Sequence, residues 1–241
     1  DPHYMMTYPS VVAALMEEMK EKPVSLEEVS CFGEPLAPDL IARLRDVWNV
    51  RVSENYSTNE TGYIAIRCPD SDDLHIQSEG AFVEILGESG APCEVGQSGR
   101  VVVTPLHNLA MPLIRYDIGD YATVGAPCRC GRGLPVIRQV LGRERNFAHT
   151  PEGTRYWPVD LGKLREIRAV RQFQFVQTAQ DTIQLRLVLN QPLTTDEQQR
   201  AMDLTRIALG YPFNVEIIPV PRIERGPGGK FEDFLSLLPK T

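Results

Sequence analysis

Apolar residues at the start of the chain recur with the period of a helix, then of a strand, then of a helix again. Val11, Val12, Leu15, Met16 and Met19 fall on one helical face and predict a packing helix from Ser10 to Lys20, with Ser10 placed to cap its first turn. A short strand is expected from Val29 to Phe32. It should stop at Gly33-Glu34-Pro35, where glycine permits a tight bend and proline cannot prolong a strand. Leu40, Ile41, Leu44, Val47 and Trp48 mark a second amphipathic helix, and a strand then runs from Val50 into Asn55-Tyr56. This alternation predicts an α/β layer. Beyond Gly62 the texture becomes β: runs at Tyr63 to Arg67, Gly80 to Leu86 and Gly99 to Thr104, separated by glycine-bearing turns, predict a small antiparallel sheet or barrel.

The segment from Pro112 to Arg143 organises what surrounds it. An apolar run through Leu113, Ile114, Tyr116 and Ile118 reaches Gly119 and presents Asp120 at a strand bend. A second apolar strand, Leu134 to Leu141, closes on Gly142-Arg143, where the composition changes. The expected division is therefore residues 1–141 and 142–241. The second part should be α+β. It begins with a hairpin turning at Pro151-Glu152-Gly153, followed by a helix from Pro158 to Ile167 and a cleanly alternating hairpin from Gln172 to Leu189. A capping box at Thr194-x-x-Glu197 starts a helix ending near Gly210, and a strand from Phe213 to Pro219 precedes the tail Gly226-Pro227-Gly228-Gly229-Lys230.

At 241 residues, 42% hydrophobic and 24% charged, the chain can bury a real core. A net charge of −7 without any Lys/Arg block argues against a nucleic-acid partner. No apolar run reaches the roughly eighteen residues a membrane span needs. Five cysteines, an odd number, with no signal segment point to a reducing compartment, with the cytoplasm as the expected location. Opening on Asp1, the sequence reads as a piece of a longer protein, and strand edges left open by such a cut would favour self-association.

Cys68, His75, Cys128 and Cys130 form a candidate zinc set, since three thiolates and an imidazole suit a closed tetrahedral structural site. The Cys-x-Cys spacing is tighter than the usual Cys-x2-Cys, so reduced thiols without a metal are the alternative, and His107 could replace His75. Cys31 and Cys93 receive no role. Lys230 follows a glycine-rich run, but Phe231 stands where a phosphate loop requires Ser or Thr, so that motif fails. The polar stretch Tyr56-Ser57-Thr58-Asn59-Glu60-Thr61-Gly62, placed after an α/β strand, is either a binding loop or a plain polar turn.

Taken in order, Gly33-Glu34-Pro35, Tyr56 to Glu60, Tyr116-Asp117-Ile118-Gly119-Asp120, Gly142-Arg143 and Gly229-Lys230 resemble the motif series of the adenylate-forming enzymes. The stretch MPLIRYDIGD followed by CRCG is similar to the phenylacetate-CoA ligase branch. The resemblance implies the C-terminal part of a large domain, an α/β layer plus a small β-barrel-like sheet, followed by a small mobile α+β domain. It also implies site roles. Gly33, Glu34 and Pro35 would line the adenine pocket, Tyr56 would stack on the base with Asn59 beside it, and Glu60 would hold Mg²⁺. Asp120 would bind the ribose hydroxyls, Arg143 would sit at the ribose and phosphates, and Lys230 would stabilise charge as a carboxylate attacks the α-phosphorus. ATP, AMP and coenzyme A are the implied ligands, with an aryl or acyl carboxylic acid as substrate; a carrier-protein thiol is an alternative acceptor. Some positions depart from the family pattern: Ser57 and Asn59 replace the expected Gly and Thr, and Arg145 occupies the hinge position. The Ser/Thr/Gly-rich phosphate loop is absent from these 241 residues, so this polypeptide alone should not adenylate. A degenerate, non-catalytic nucleotide- or protein-binding module is the competing expectation.

Overall fold

The computed structural model describes residues 2–19, 21–158, 161–226 and 230–239, which divide into two compact units, residues 1–144 and 145–241. The first unit opens with β1 (Tyr4–Thr7), α1 (Pro9–Glu18), β2 (Glu28–Phe32), α2 (Pro38–Trp48) and β3 (Arg51–Thr58). It continues with β4 (Gly62–Arg67), β5 (Leu74–Ile76), β6 (Ala81–Leu86), β7 (Ser98–Pro105), β8 (Tyr116–Val124) and β9 (Val136–Arg143). All these strands share one nine-stranded sheet in the order β1-β2-β3-β4-β5-β9-β8-β7-β6, so the α/β layer and the β-rich part are continuous rather than separate. β1, β2 and β3 pair in parallel, and the remaining ladders are antiparallel.

Apolar burial explains this arrangement. The inward residues of α1 and α2 (Val12, Leu40, Ile41, Leu44, Trp48) close over Val29, Cys31 and Val52 of the parallel strands. A second cluster gathers Tyr56, Ile64, Leu74, Val101, Ile118 and Ile137, residues of strands far apart in the ladder order, so the sheet curls around a shared interior. Ser10 is not the cap of α1. Pro9 takes the first helical position after Tyr8, and the Ser10 N–H and hydroxyl instead donate to the Glu34 carboxylate at 2.9 and 3.0 Å. A buried carboxylate from the β2–α2 loop thus meets the positive end of α1.

Two expectations within the first unit shift. Strand β8 starts at Tyr116 rather than Leu113, because Arg115 adopts φ 50 and turns the chain into the ladder there. Gly119, at φ 77, then bends the strand beside Asp120. Tyr56, Ser57 and Thr58 still belong to β3, so the polar stretch is a tight β3–β4 hairpin rather than an open loop. Its turn is locked by the Thr58 hydroxyl, which accepts from the Thr61 N–H.

The second unit comprises β10 (Ala148–His149), β11 (Arg155–Tyr156), β12 (Val170–Ala179), β13 (Thr182–Leu189), α3 (Thr195–Leu209), β14 (Asn214–Pro219) and β15 (Phe234–Ser236). Its main sheet runs β14-β13-β12-β15, with α3, Phe173, Phe175 and Phe213 supplying the core. The capping box forms as read: Thr194 accepts from the Glu197 N–H, and the Glu197 carboxylate accepts from the Thr194 N–H. The helix expected at 158–167 is instead a 3-10 segment, Leu161–Glu166, in which Gly162 weakens helical propensity and only Leu164 is buried. β9 carries Gly142 and Arg143 within the first unit, so the division falls after Glu144.

Candidate functional site

At one end of the curled sheet, three of the sequence-selected residues meet. The Tyr56 phenol of β3 donates to Asp120 Oδ2 of β8 at 3.0 Å, and Arg143 Nε of β9 lies 3.5 Å from Asp120 Oδ1. Asp120 and Arg143 are register partners, which places the guanidinium over the carboxylate. The Asp120 side chain is 15% exposed and that of Arg143 60%, so the pair presents a fixed acceptor beneath a reachable cation. Burial, and then the neighbouring Asp120 charge, push the Tyr56 phenol well above its ordinary pKa, which keeps it a neutral donor. Flanking ion pairs hold β8 in place. Arg115 reaches both Glu84 oxygens at 3.0 and 3.2 Å, and Arg100 lies 2.6 Å from Asp117.

The other candidates of the first unit follow β2 and β3, which pair side by side with Phe32 opposite Asn55. Asn59 and Glu60 are exposed at the β3–β4 turn. Gly33, at φ 75, and Pro35 are exposed, while the Glu34 carboxylate engages Ser10. Lys230 is exposed in the second unit; Pro227, Gly228 and Gly229 lie outside the described residues.

At the opposite end of β8 and β9, Cys68, His75, Cys128 and Cys130 converge, with their ligand atoms all within 4.8 Å of one another. Cys68 directly follows β4, His75 is the centre of β5, and the two remaining cysteines lie on the β8–β9 connection. Cys68 and Cys128 sulfurs are 3.8 Å apart, and Cys130 Sγ is 3.3 Å from His75 Nε2. A tetrahedron with zinc–sulfur arms of about 2.3 Å has edges of about 3.8 Å, so the set fits zinc, whereas a disulfide needs about 2.05 Å. His75 is buried, and its Nδ1 has no hydrogen-bond partner among the described residues. His107 lies elsewhere, with Nε2 2.8 Å from the Glu79 carbonyl, and is excluded from the cluster by position. Burial raises the Cys68 thiol, whereas a hydrogen bond from Ser71 draws Cys128 down to about 6.

A residue the sequence reading passed over anchors this cluster. Arg67, buried at the end of β4, pairs with Glu54 of β3 and donates to the Asp72 carbonyl at 2.7 Å and its carboxylate at 3.2 Å. Asp72 also accepts from Arg45 of α2 at 2.9 Å. The chain between Cys68 and His75 is thereby tied to the α/β layer. The available signal was a lone charge ending the apolar run Tyr63-Ile64-Ala65-Ile66. Burial raises the Glu54 carboxyl against the opposing pull of Arg67.

Comparison with known proteins bears on the fold. No protein-family model matches the chain. The fold is that of the adenylate-forming acyl-CoA ligases: the chain superposes on a 2-hydroxyisobutyryl-CoA ligase in complex with an acyl-AMP with a TM-score of 0.80 at 20% identity, covering 98% of this chain and 54% of that one. An anthranilate-CoA ligase in complex with anthranoyl-AMP gives 0.72 at 15% identity, covering 96% and 48%. The o-succinylbenzoate-CoA synthetase of Bacillus subtilis gives 0.66 at 17%, covering 95% and 50%. In sequence, the chain is similar to a phenylacetate-coenzyme A ligase from Thermus thermophilus, 25% identical over 271 aligned residues, with 98% of this chain and 60% of that protein covered. The chain thus spans about half to three-fifths of the length of the proteins it matches.

Proposed function

We propose that the chain is the nucleotide-holding and acyl-transfer portion of an AMP-forming acid–coenzyme A ligase of the phenylacetate-CoA ligase kind. The observation carrying this reading is the Tyr56–Asp120–Arg143 constellation, in which β3 meets the paired strands β8 and β9, in a fold shared with ligases that hold acyl-adenylates. In the proposed reaction a carboxylate oxygen of an aryl or acyl acid attacks the α-phosphorus of ATP and pyrophosphate leaves. The coenzyme A thiol then attacks the acyl carbonyl and AMP leaves.

The residues divide this work by chemistry. Asp120, held by Tyr56, accepts from the ribose hydroxyls; Arg143 offers its exposed guanidinium to ribose and phosphate oxygens. Gly33, Glu34 and Pro35 border the adenine, and Tyr56 and Asn59 complete that wall. Glu60 is the Mg²⁺ carboxylate, and Lys230 is the cation that meets charge developing at the α-phosphate. Zinc bound by Cys68, His75, Cys128 and Cys130 would be structural, because four protein ligands leave no open position. The cytoplasm is the proposed setting, in keeping with an odd number of cysteines; no described helix is long and apolar enough to cross a membrane. Tyr4 and Met6, exposed on edge strand β1, support the proposed self-association.

The experiment is nucleotide binding and pyrophosphate exchange by the full-length gene product. Asp120→Ala should weaken AMP binding at least tenfold and Lys230→Ala should abolish exchange while AMP still binds. AMP affinity unchanged by Asp120→Ala would sink the reading. A second reading, a nucleotide-binding module without turnover, is favoured by Asn59 and by Arg145 in the hinge position; AMP binding with no exchange across a panel of aryl and acyl acids would select it.

A further inference from the structure

Arg145 begins the second unit, where the family resemblance places a hinge, and its side chain is occupied. Its Nε and Nη2 both reach Glu232 Oε1, at 3.0 and 2.8 Å. Glu232 stands two residues beyond Lys230. The same stretch is gripped again and again. Asn146 Nδ2 donates to the Phe234 carbonyl at 2.9 Å, Gln174 Nε2 to the Glu232 carbonyl at 3.0 Å, and the Phe175 N–H to the Asp233 carbonyl at 2.8 Å. On the other flank, the Gly226 N–H donates to the Lys230 carbonyl at 3.0 Å. The backbone from Lys230 to Phe234 is therefore held while the lysine side chain stays exposed.

The Glu232 side chain is 22% exposed and that of Arg145 48%, so this ion pair is half-sheltered and directional. Both partners belong to the second unit. The contact thus travels with Lys230, whatever orientation that unit takes.

We propose that Arg145 is the positioning residue of Lys230: by holding Glu232 it fixes the segment from which the lysine projects, and so sets where the ammonium can reach. This rests on the assignment of Lys230 above. A cation that acts by meeting charge at one phosphate oxygen gains its effect from placement, and a displacement of about 1 Å costs up to about a hundredfold. An arginine at this position then serves the lysine arm rather than marking decay.

The test uses the full-length gene product with ATP and phenylacetate as the probe acid. Arg145→Gln should lower kcat for acyl-adenylate formation on the order of tenfold with the KM for ATP unchanged, while thioester formation from supplied phenylacetyl-adenylate stays intact. The swap Arg145→Glu with Glu232→Arg should restore most of the loss. Amide hydrogen exchange over residues 231–235 should accelerate in Arg145→Gln and return to normal in the swap. Unchanged exchange in Arg145→Gln overturns the proposal whether or not phenylacetate is turned over. A parallel fall in both half-reactions also overturns it, since that marks a general structural defect. Full adenylation by Lys230→Ala would instead overturn the assignment of Lys230, leaving the exchange measurement to decide whether Arg145 holds the segment.

Discussion

Tyr56 hydrogen-bonds Asp120 at 3.0 Å although β4, β5 and β9 stand between their strands in the sheet. The contact exists because the sheet curls, bringing a phenol from the α/β layer to a carboxylate of the β-rich part. Tyr56→Phe keeps the ring in the core and removes only the donor to a half-buried acceptor that retains Arg143. It should cost about 1 kcal/mol of stability in urea unfolding. AMP affinity should fall along with it, because the carboxylate loses an orienting partner. Unchanged AMP binding would mean that Asp120 needs no help from Tyr56.

Cys31, fully buried beneath α1 and α2, has its thiol pushed by burial from 9.0 to about 12. The unfolded chain releases this proton first as pH rises, so the contribution is complete below about pH 9 and lost between about 9 and 12. Tyr56, also raised, adds to the loss above about pH 10. Unfolding free energy should therefore fall on the alkaline side, and Cys31→Ala, though less stable at pH 7, should show a shallower fall from pH 9 upward. Parallel curves would exclude the thiol as a source.

Arg67→Met leaves Glu54 buried without its cation and releases the Asp72 carbonyl. A loss of about 3–5 kcal/mol is expected from denaturant unfolding. Adding Glu54→Gln should recover part of it, since the orphaned charge is then gone. Additive losses would show that the pair does not act as a unit.

The thiol and imidazole cluster should hold about one zinc ion per chain in protein purified without chelator. Cys128→Ser should lower that content sharply and reduce the Tm, while leaving the second unit's core untouched. Unchanged zinc in Cys128→Ser would show the metal to be held elsewhere.

Legibility in the sequence followed the physics of each element. α2 and α3 were readable because three turns of apolar spacing and a Thr194–Glu197 box are local signals. β1, β5 and β15 were not, since strands of three or four residues contain too little alternation; Leu74, His75 and Ile76 are all buried and show no period at all. Ser10 looked like a cap because Ser before an apolar run usually is one, and only the fold reveals that Glu34 takes that duty. The convergence of Cys68, His75, Cys128 and Cys130 was visible because such residues are few in the chain. The Glu54–Arg67–Asp72–Arg45 chain was not, because it joins ordinary charges whose spacing carries no motif.

The strand order carries a consequence for how the first unit comes into being. β1 to β5 pair among themselves, as do β6 to β8, and among the described residues the ladder between these two sets passes only through β9. A ribosome delivers β9 last of the eleven helices and strands that make up this unit. Until residues 136–143 emerge, the nascent chain consists of two half-sheets with open edges facing each other, and slow, long-range closure waits on a single segment. Cys128 and Cys130 leave the exit tunnel just ahead of that segment and meet Cys68 and His75 of the earlier half. Metal capture during synthesis would then act as a latch, holding the two halves in register for the strand that joins them.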